Sequence, residues 1–291
     1  MQTSRLVISL LLGFTLAHPA PAAAAVKVVA AENVYGGIAQ RIGGRDAEVV
    51  SILNNPDQDP HLFEASPTVV RRVADARIVI VNGAGYDAWA NELLDSSPRP
   101  ERTTIDVARL TGWKPGGNPH LWYDPATMSK LAATLAATLA KANPDRAGGY
   151  DARLKTTLAA LAHVEKRVAA LRAKWRGHAV TATEPVFGLM AEAIGLTMRN
   201  RRFQTAMMNG TEPSARDVAA FEDDLKQHRV EALITNRQVS DKMTARLIDI
   251  ARKAKVPVVA VTETQPANMT YENWMLSQLD ALDRALAGGK P

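Results

Sequence analysis

The chain has 291 residues, 35 Lys and Arg against 30 Asp and Glu, a formal net charge of +5, and only 5% aromatic residues. Such a length supports one large or two smaller domains, and a modest basic excess with few interleaved aromatics argues against a nucleic-acid surface. No cysteine is present, which excludes disulfides, thiolate nucleophiles, Cys-based zinc sites and a lipid on a cleavage-site cysteine.

The N-terminus reads as a secretory leader. Arg5 supplies the basic start, residues 6–17 an apolar core, and Ala23-Ala24-Ala25 a small-residue cleavage pattern, so residues 1–25 are expected to be removed. The apolar run is too short to anchor the protein in a bilayer. A soluble periplasmic protein is the simplest outcome, and no later stretch is apolar and long enough to span a membrane.

A first lobe, residues 26–143, alternates strands and helices. Strands are expected at 26–31, 49–53, 77–81 and 103–107, and helices at 34–42, 67–76 and 86–94. Ser66-Pro67 has the form of an N-cap followed by proline at the first helical position. The apolar run at 77–81 suits a parallel strand buried on both faces. A Gly- and Pro-rich loop at 112–119 ends at His120, Asp124-Pro125 caps a helix running to 142, and Asn143-Pro144 ends it.

Residues 144–176 read as one long linking helix. Leu154, Leu158, Leu161, Val164, Val168, Leu171 and Trp175 form an apolar stripe at helical spacing. From residue 145 to 175 the rod would measure roughly 46 Å at ~1.5 Å per residue. A coiled-coil seam and an ordinary long helix within one domain are the competing readings. Gly148 and Gly149 are expected to make its first turns irregular.

The second lobe, residues 177–291, repeats the rhythm, with strands at 179–183, 232–235 and 258–262 and helices at 185–194, 213–228, 241–255 and 271–286. Arg199, Arg201 and Arg202 read as a solvated loop. The fold class expected is α/β: two lobes with parallel sheets flanked by helices, each with its own core, joined by the long helix around a cleft.

Open parallel sheets bind ligands beyond the carboxyl ends of their strands. That rule sets aside His163, His178 and His228 as surface residues. It keeps His61 and His120, which each end a Pro-containing loop on the ligand side, and Glu184 and Glu263, which directly follow strands of the second lobe. Two imidazoles and two carboxylates suit Zn²⁺, Mn²⁺ or Fe²⁺. Other readings stay open: Glu184 as a residue that favours a helix start, Glu212 as a substitute ligand, and His61 as an exposed loop residue.

Several segments resemble the metal-binding solute receptors of bacterial ABC transporters, the zinc and manganese receptor family with a rigid helix between its lobes. They are Asp59-Pro60-His61-Leu62-Phe63-Glu64, Asn82-Gly83 ahead of Asp87-Ala88-Trp89, Asn118-Pro119-His120-Leu121-Trp122-Tyr123-Asp124-Pro125, Glu184-Pro185-Val186-Phe187-Gly188 and Glu212-Pro213-Ser214. The resemblance implies that His61 and His120 are metal ligands, that Glu184 stands at a position held by His in typical zinc receptors and by Glu in many manganese receptors, and that Glu263 takes a fourth, acidic position. Two departures bear on the metal: Asn236 replaces a frequent Glu, and the loop at 112–119 lacks the His/Asp-rich insert common in zinc receptors.

What the resemblance implies is a monomeric periplasmic receptor, not an enzyme, that hands Zn²⁺ or Mn²⁺ to an inner-membrane permease with its cytoplasmic ATPase. Two carboxylates and no third His lean toward Mn²⁺, since bidentate binding by both would give six coordination. The alternative is a secreted metal-dependent hydrolase, which needs an open coordination position and a nearby base; the sequence has no HExxH. A receptor for an organic solute would call for a cleft richer in aromatics.

Overall fold

The computed structural model describes residues 24–57 and 60–288. Most of the expected leader, residues 1–23, and Asp59 of the His61 loop lie outside the described residues.

Strand β1 (Val26–Glu32) leads through α1 (Asn33–Gly43) to β2 (Ala47–Leu53). Helix α2 (Pro67–Asp75) starts where expected, because Ser66 Oγ accepts the Val69 N–H and Pro67 needs no partner for a missing donor. Then come β3 (Ile78–Val81), every residue of it buried, α3 (Ala88–Ser96), β4 (Thr103–Asp106) and a short α4 (Val107–Thr111) that periodicity did not predict. The four strands are parallel in the order β2-β1-β3-β4.

Helix α5 (Pro125–Ala142), capped by Asp124, and the long α6 (Ala147–Trp175) follow. Gly148 and Gly149 lie inside regular helix, contrary to expectation; the irregular turn is the preceding Pro144–Arg146. Leu161, Val164, Val168 and Leu171 of the stripe are buried, each contributing about 1.5–3 kcal/mol. The stripe is not a dimer seam, because α6 packs against α5, α1, α7 (Gly188–Ile194) and α11 (Tyr271–Leu286) of its own chain. Arg153 ties it to the first lobe through the Ile42 and Gly43 carbonyls and Asp46. Arg167, Lys174 and Trp175 tie it to Asp283 of α11.

The second sheet repeats the order of the first: β6-β5-β7-β8, all parallel, from β5 (Ala179–Ala182), β6 (Thr197–Met198), β7 (Leu233–Asn236) and β8 (Val258–Val261). The two-residue β6 was too short to read from sequence. Only Arg199 of the arginine cluster lies in a loop: Arg201 and Arg202 open α8 (Arg201–Met208), whose Phe203 is buried. Arg199, Arg201 and Arg202 pair with Asp224, Glu192 and Asp217. Helices α9 (Ala215–Lys226) and α10 (Lys242–Lys253) complete the lobe, capped by Ser214 and Asp241. His228 lies beyond α9 at φ 52° instead of in its last turn.

The lobes do not keep wholly separate cores. Val28 and Ala30 of β1, Leu161 and Val168 of α6, and Val180, Ile234 and Val261 of the second sheet belong to one continuous apolar cluster. The other face of each sheet packs a smaller cluster of its own, around Val29, Val79 and Val81 in one lobe and Phe203, Phe221 and Leu233 in the other. The period of two along a strand divides the faces: Val28 and Ala30 point to the shared core, Val29 and Ala31 away from it. In both sheets the order reverses between the first and third strands, which opens a crevice at their carboxyl ends.

Candidate metal centre

His61 stands in the 3-10 turn Pro60–Leu62 after β2, and His120 immediately ahead of the turn Leu121–Tyr123. Their Nε2 atoms lie 3.5 and 3.2 Å from Glu263 Oε2, which enters from the segment after β8. One ligand atom from each of these three residues lies within 4.8 Å of the others. His120 and Glu263 are buried, while the His61 side chain keeps 31% of its exposure, so solvent reaches the centre on its side.

Glu184, expected beside them, is buried but stands one residue back. Its Oε2 accepts from Asn236 Nδ2 at 2.8 Å, and the same nitrogen donates to Glu263 Oε1 at 2.5 Å. As the cap residue of the turn Pro185–Phe187 it makes no side-chain capping bond, so the helix-start reading finds no support. Glu212 is exposed and outside the cluster.

Burial works to raise the Glu263 pKa, but hydrogen bonds and charge from His120 and His61 outweigh it and hold the carboxyl below the usual carboxylate range. The Tyr86 hydroxyl also donates to Glu263 Oε2, at 2.8 Å. Burial first, and then the negative charge of Glu263, push the Tyr86 hydroxyl well above its ordinary pKa, so it remains a phenol that donates. Its ring meets those of His61, His120 and Trp122 edge-on, at 5.4, 5.7 and 5.0 Å between centroids.

Asn118 decides which way His120 faces. Its Nδ2 donates to the Pro185 carbonyl of the other lobe at 2.5 Å, and its Oδ1 accepts the His120 N–H at 3.0 Å. That fixes the amide, so its oxygen also faces His120 Nδ1, at 2.7 Å. An oxygen that only accepts places a proton on Nδ1, whether or not Nε2 also carries one, and aims Nε2 at the centre, the arrangement that orients a metal-binding imidazole. Gly188 makes room for this reach: a Cβ there would come within 2.7 Å of Asn118 Nδ2.

The sequence pattern puts Tyr86 at the start of a helix, and that pattern gives no sign of this role. The chain instead turns through Gly83, Ala84 and Gly85 at φ 71°, 56° and 79°, and Asp87 accepts the Asn82 and Gly83 N–H groups. Those contacts delay α3 to Ala88 and leave Tyr86 at the carboxyl end of β3. The glycines flanking Ala84 were the available signal. Asn236 carried another: a polar residue closing a wholly buried strand. His163 is exposed, and His178 pairs with Glu231 at 2.8 Å on the surface.

Residues 28–285 match the protein family described as zinc-uptake complex component A, periplasmic. The manganese ABC transporter substrate-binding lipoprotein PsaA of Streptococcus mitis is 23% identical over 283 residues, covering 90% of this chain and 89% of its own. Among solved structures, the periplasmic zinc-binding protein TroA from Treponema pallidum superposes with a TM-score of 0.73 at 19% identity, over 90% of this chain and 99% of that one. FpvC from Pseudomonas aeruginosa, solved in complex with Mn²⁺, gives 0.74 at 20% identity, over 90% and 98%. These likenesses extend over both lobes and the long helix.

Proposed function

Because the chain belongs to the zinc-uptake complex component A family, we propose that it is a periplasmic receptor that captures Zn²⁺ or Mn²⁺ and delivers it to an inner-membrane ABC permease. The family is one of transport components and not of enzymes. One observation carries the reading: His61 and His120 of the first lobe converge on the Glu263 carboxylate of the second. Neutral imidazole nitrogen and carboxylate oxygen are the donors that divalent zinc and manganese accept. Glu184, linked to Glu263 through Asn236, is the fourth ligand in this reading.

Nothing favours the alternative of a secreted metal-dependent hydrolase. With Glu184 as fourth ligand the coordination would be complete, whereas a hydrolase needs one position for water. The functional division follows as residues 26–143 and 177–291 with 144–176 between them, acting as a monomer. PsaA is described as a lipoprotein; this chain has no cysteine, so after loss of residues 1–25 it would be free in the periplasm. Protein isolated from its native periplasm is expected to carry stoichiometric Zn²⁺ or Mn²⁺. A metal-free preparation that also fails to take up either ion on titration would refute the reading.

A further inference from the structure

Asn236 closes β7, the strand that lies between β5 and β8 in the second sheet. Glu184 follows β5 and Glu263 follows β8, so the topology sets Asn236 between the two carboxylates. It is 3% exposed. The Gln238 N–H donates to Asn236 Oδ1 at 3.0 Å, which fixes the amide with its NH₂ toward the acids. That one nitrogen has two hydrogens, and it lies 2.8 Å from Glu184 Oε2 and 2.5 Å from Glu263 Oε1. Gln238 secures the opposite side as well, its Oε1 accepting the Glu263 and Thr264 N–H groups at 2.6 and 2.9 Å.

Glu263 is thereby divided between two tasks. Oε2 faces both imidazoles and the Tyr86 hydroxyl, while Oε1 is taken by Asn236. Glu184 is held through Oε2 by the same amide. Asn236 occupies one lone pair of the second oxygen and fixes the plane of each carboxylate, so turning both oxygens toward one ion strains that bond, and losing it would leave a buried donor unsatisfied. Carboxylates that offer one oxygen each, with two imidazoles, present four ligand atoms. That suits Zn²⁺, which is content with four, and disfavours Mn²⁺, which prefers six oxygen-rich positions.

We propose that Asn236 is the specificity-determining residue of this site: it tethers Glu184 and Glu263 as one-oxygen ligands and so selects four-coordinate ions of the Zn²⁺ class over Mn²⁺. The inference rests on the metal-receptor reading above and goes against the lean toward Mn²⁺ that two bidentate carboxylates suggested. An acidic residue at this position would supply no donor and a third negative charge, and could not perform the same task.

The test uses the mature protein and its Asn236→Ala variant, with Co²⁺ as a spectroscopic probe and competitive titration of Zn²⁺ and Mn²⁺ at one pH. The wild-type Co²⁺ complex is expected to show the intense visible bands of four coordination, and the variant the weak bands of higher coordination. The Zn²⁺/Mn²⁺ affinity ratio is expected to fall at least about tenfold in the variant, chiefly through stronger Mn²⁺ binding. A six-coordinate Co²⁺ spectrum in the wild type overturns the proposal even if the variant does not fold. So does a variant that binds metal with unchanged spectrum and ratio. Failure of the wild type to bind any of the three ions would instead overturn the receptor reading, and this inference with it.

Discussion

Asn33 and Gln265 grip each other twice across the cleft: Asn33 Nδ2 donates to the Gln265 carbonyl at 2.8 Å, and the Gln265 N–H donates back to Asn33 Oδ1 at 3.1 Å. Asn33 opens α1 of the first lobe, and Gln265 follows β8 of the second. Close by, Arg41 of α1 donates to both carboxylate oxygens of Glu272 on α11 at 2.8 Å.

These bonds, the shared apolar cluster and a 29-residue helix anchored in both lobes leave little freedom for hinge motion. The radius of gyration from small-angle scattering is expected to stay the same on metal addition, with any reordering confined to the loop bearing His61. A large compaction on binding would show that the interlobe contacts do not hold in solution.

His61→Ala and His120→Ala are both expected to abolish high-affinity binding, with losses of more than the ~10–100-fold typical of a residue behind the ligands. They should differ in stability. His61 is partly exposed and its loss should leave unfolding nearly unchanged. His120 is fully buried and partners Asn118 and Glu263, so its removal should destabilise the metal-free protein by about 1–3 kcal/mol. Calorimetric titration with denaturant unfolding separates the two effects; unchanged metal affinity in both variants would eliminate the site.

Glu184→His replaces a hard oxygen donor with a nitrogen that Zn²⁺ accepts more readily than Mn²⁺ does. The Zn²⁺/Mn²⁺ affinity ratio should rise about tenfold or more, or ~1.4 kcal/mol, mainly by weaker Mn²⁺ binding. Competitive titration at fixed pH measures it, since His and Glu deprotonate over different ranges. No change would leave Glu184 as a partner of Asn236 alone and not a ligand.

A pH effect is expected from Glu32, which closes β1. It is buried against the Asp87 carboxyl, and among the described residues its oxygens find no other side-chain partner. Burial first, then the charge of Asp87, raise its pKa well above the ordinary value. Burial also raises Asp87 to about 6, against the lowering effect of the Asn82 and Gly83 N–H groups. Both acids therefore hold protons in the folded state at pH values where the unfolded chain has released them. Stability from this pair is greatest below about pH 4 and declines as pH rises through 6 and beyond. Glu32→Gln cannot ionise, so its stability relative to wild type should increase with pH, reaching ~1 kcal/mol or more at pH 7.5. Urea unfolding at pH 4.5, 6 and 7.5 tests this; a flat or falling difference would mean that Glu32 holds no extra proton.

Much of the architecture was legible because its signals are local. Ser66 bonds to Val69, Asp124 to Ala126 and Asp241 to Met243, each within three residues of chain, so caps could be read directly. The stripe of α6 and the apolar run of β3 announced their burial in the same way. His61, His120, Glu184 and Glu263 could be nominated because residues following parallel strands gather on one edge. What lay beyond reach was the partner each would find. Tyr86 meets Glu263 across 177 positions, and Asn236 meets Glu184 across 52. No local pattern encodes such pairings, since they exist only once sheet order and interlobe packing have set the distances. The sequence determined which donors the cleft contains. The tertiary structure decided how they are shared: three converge, and Glu184 is joined to them through an amide whose two hydrogens span both acids.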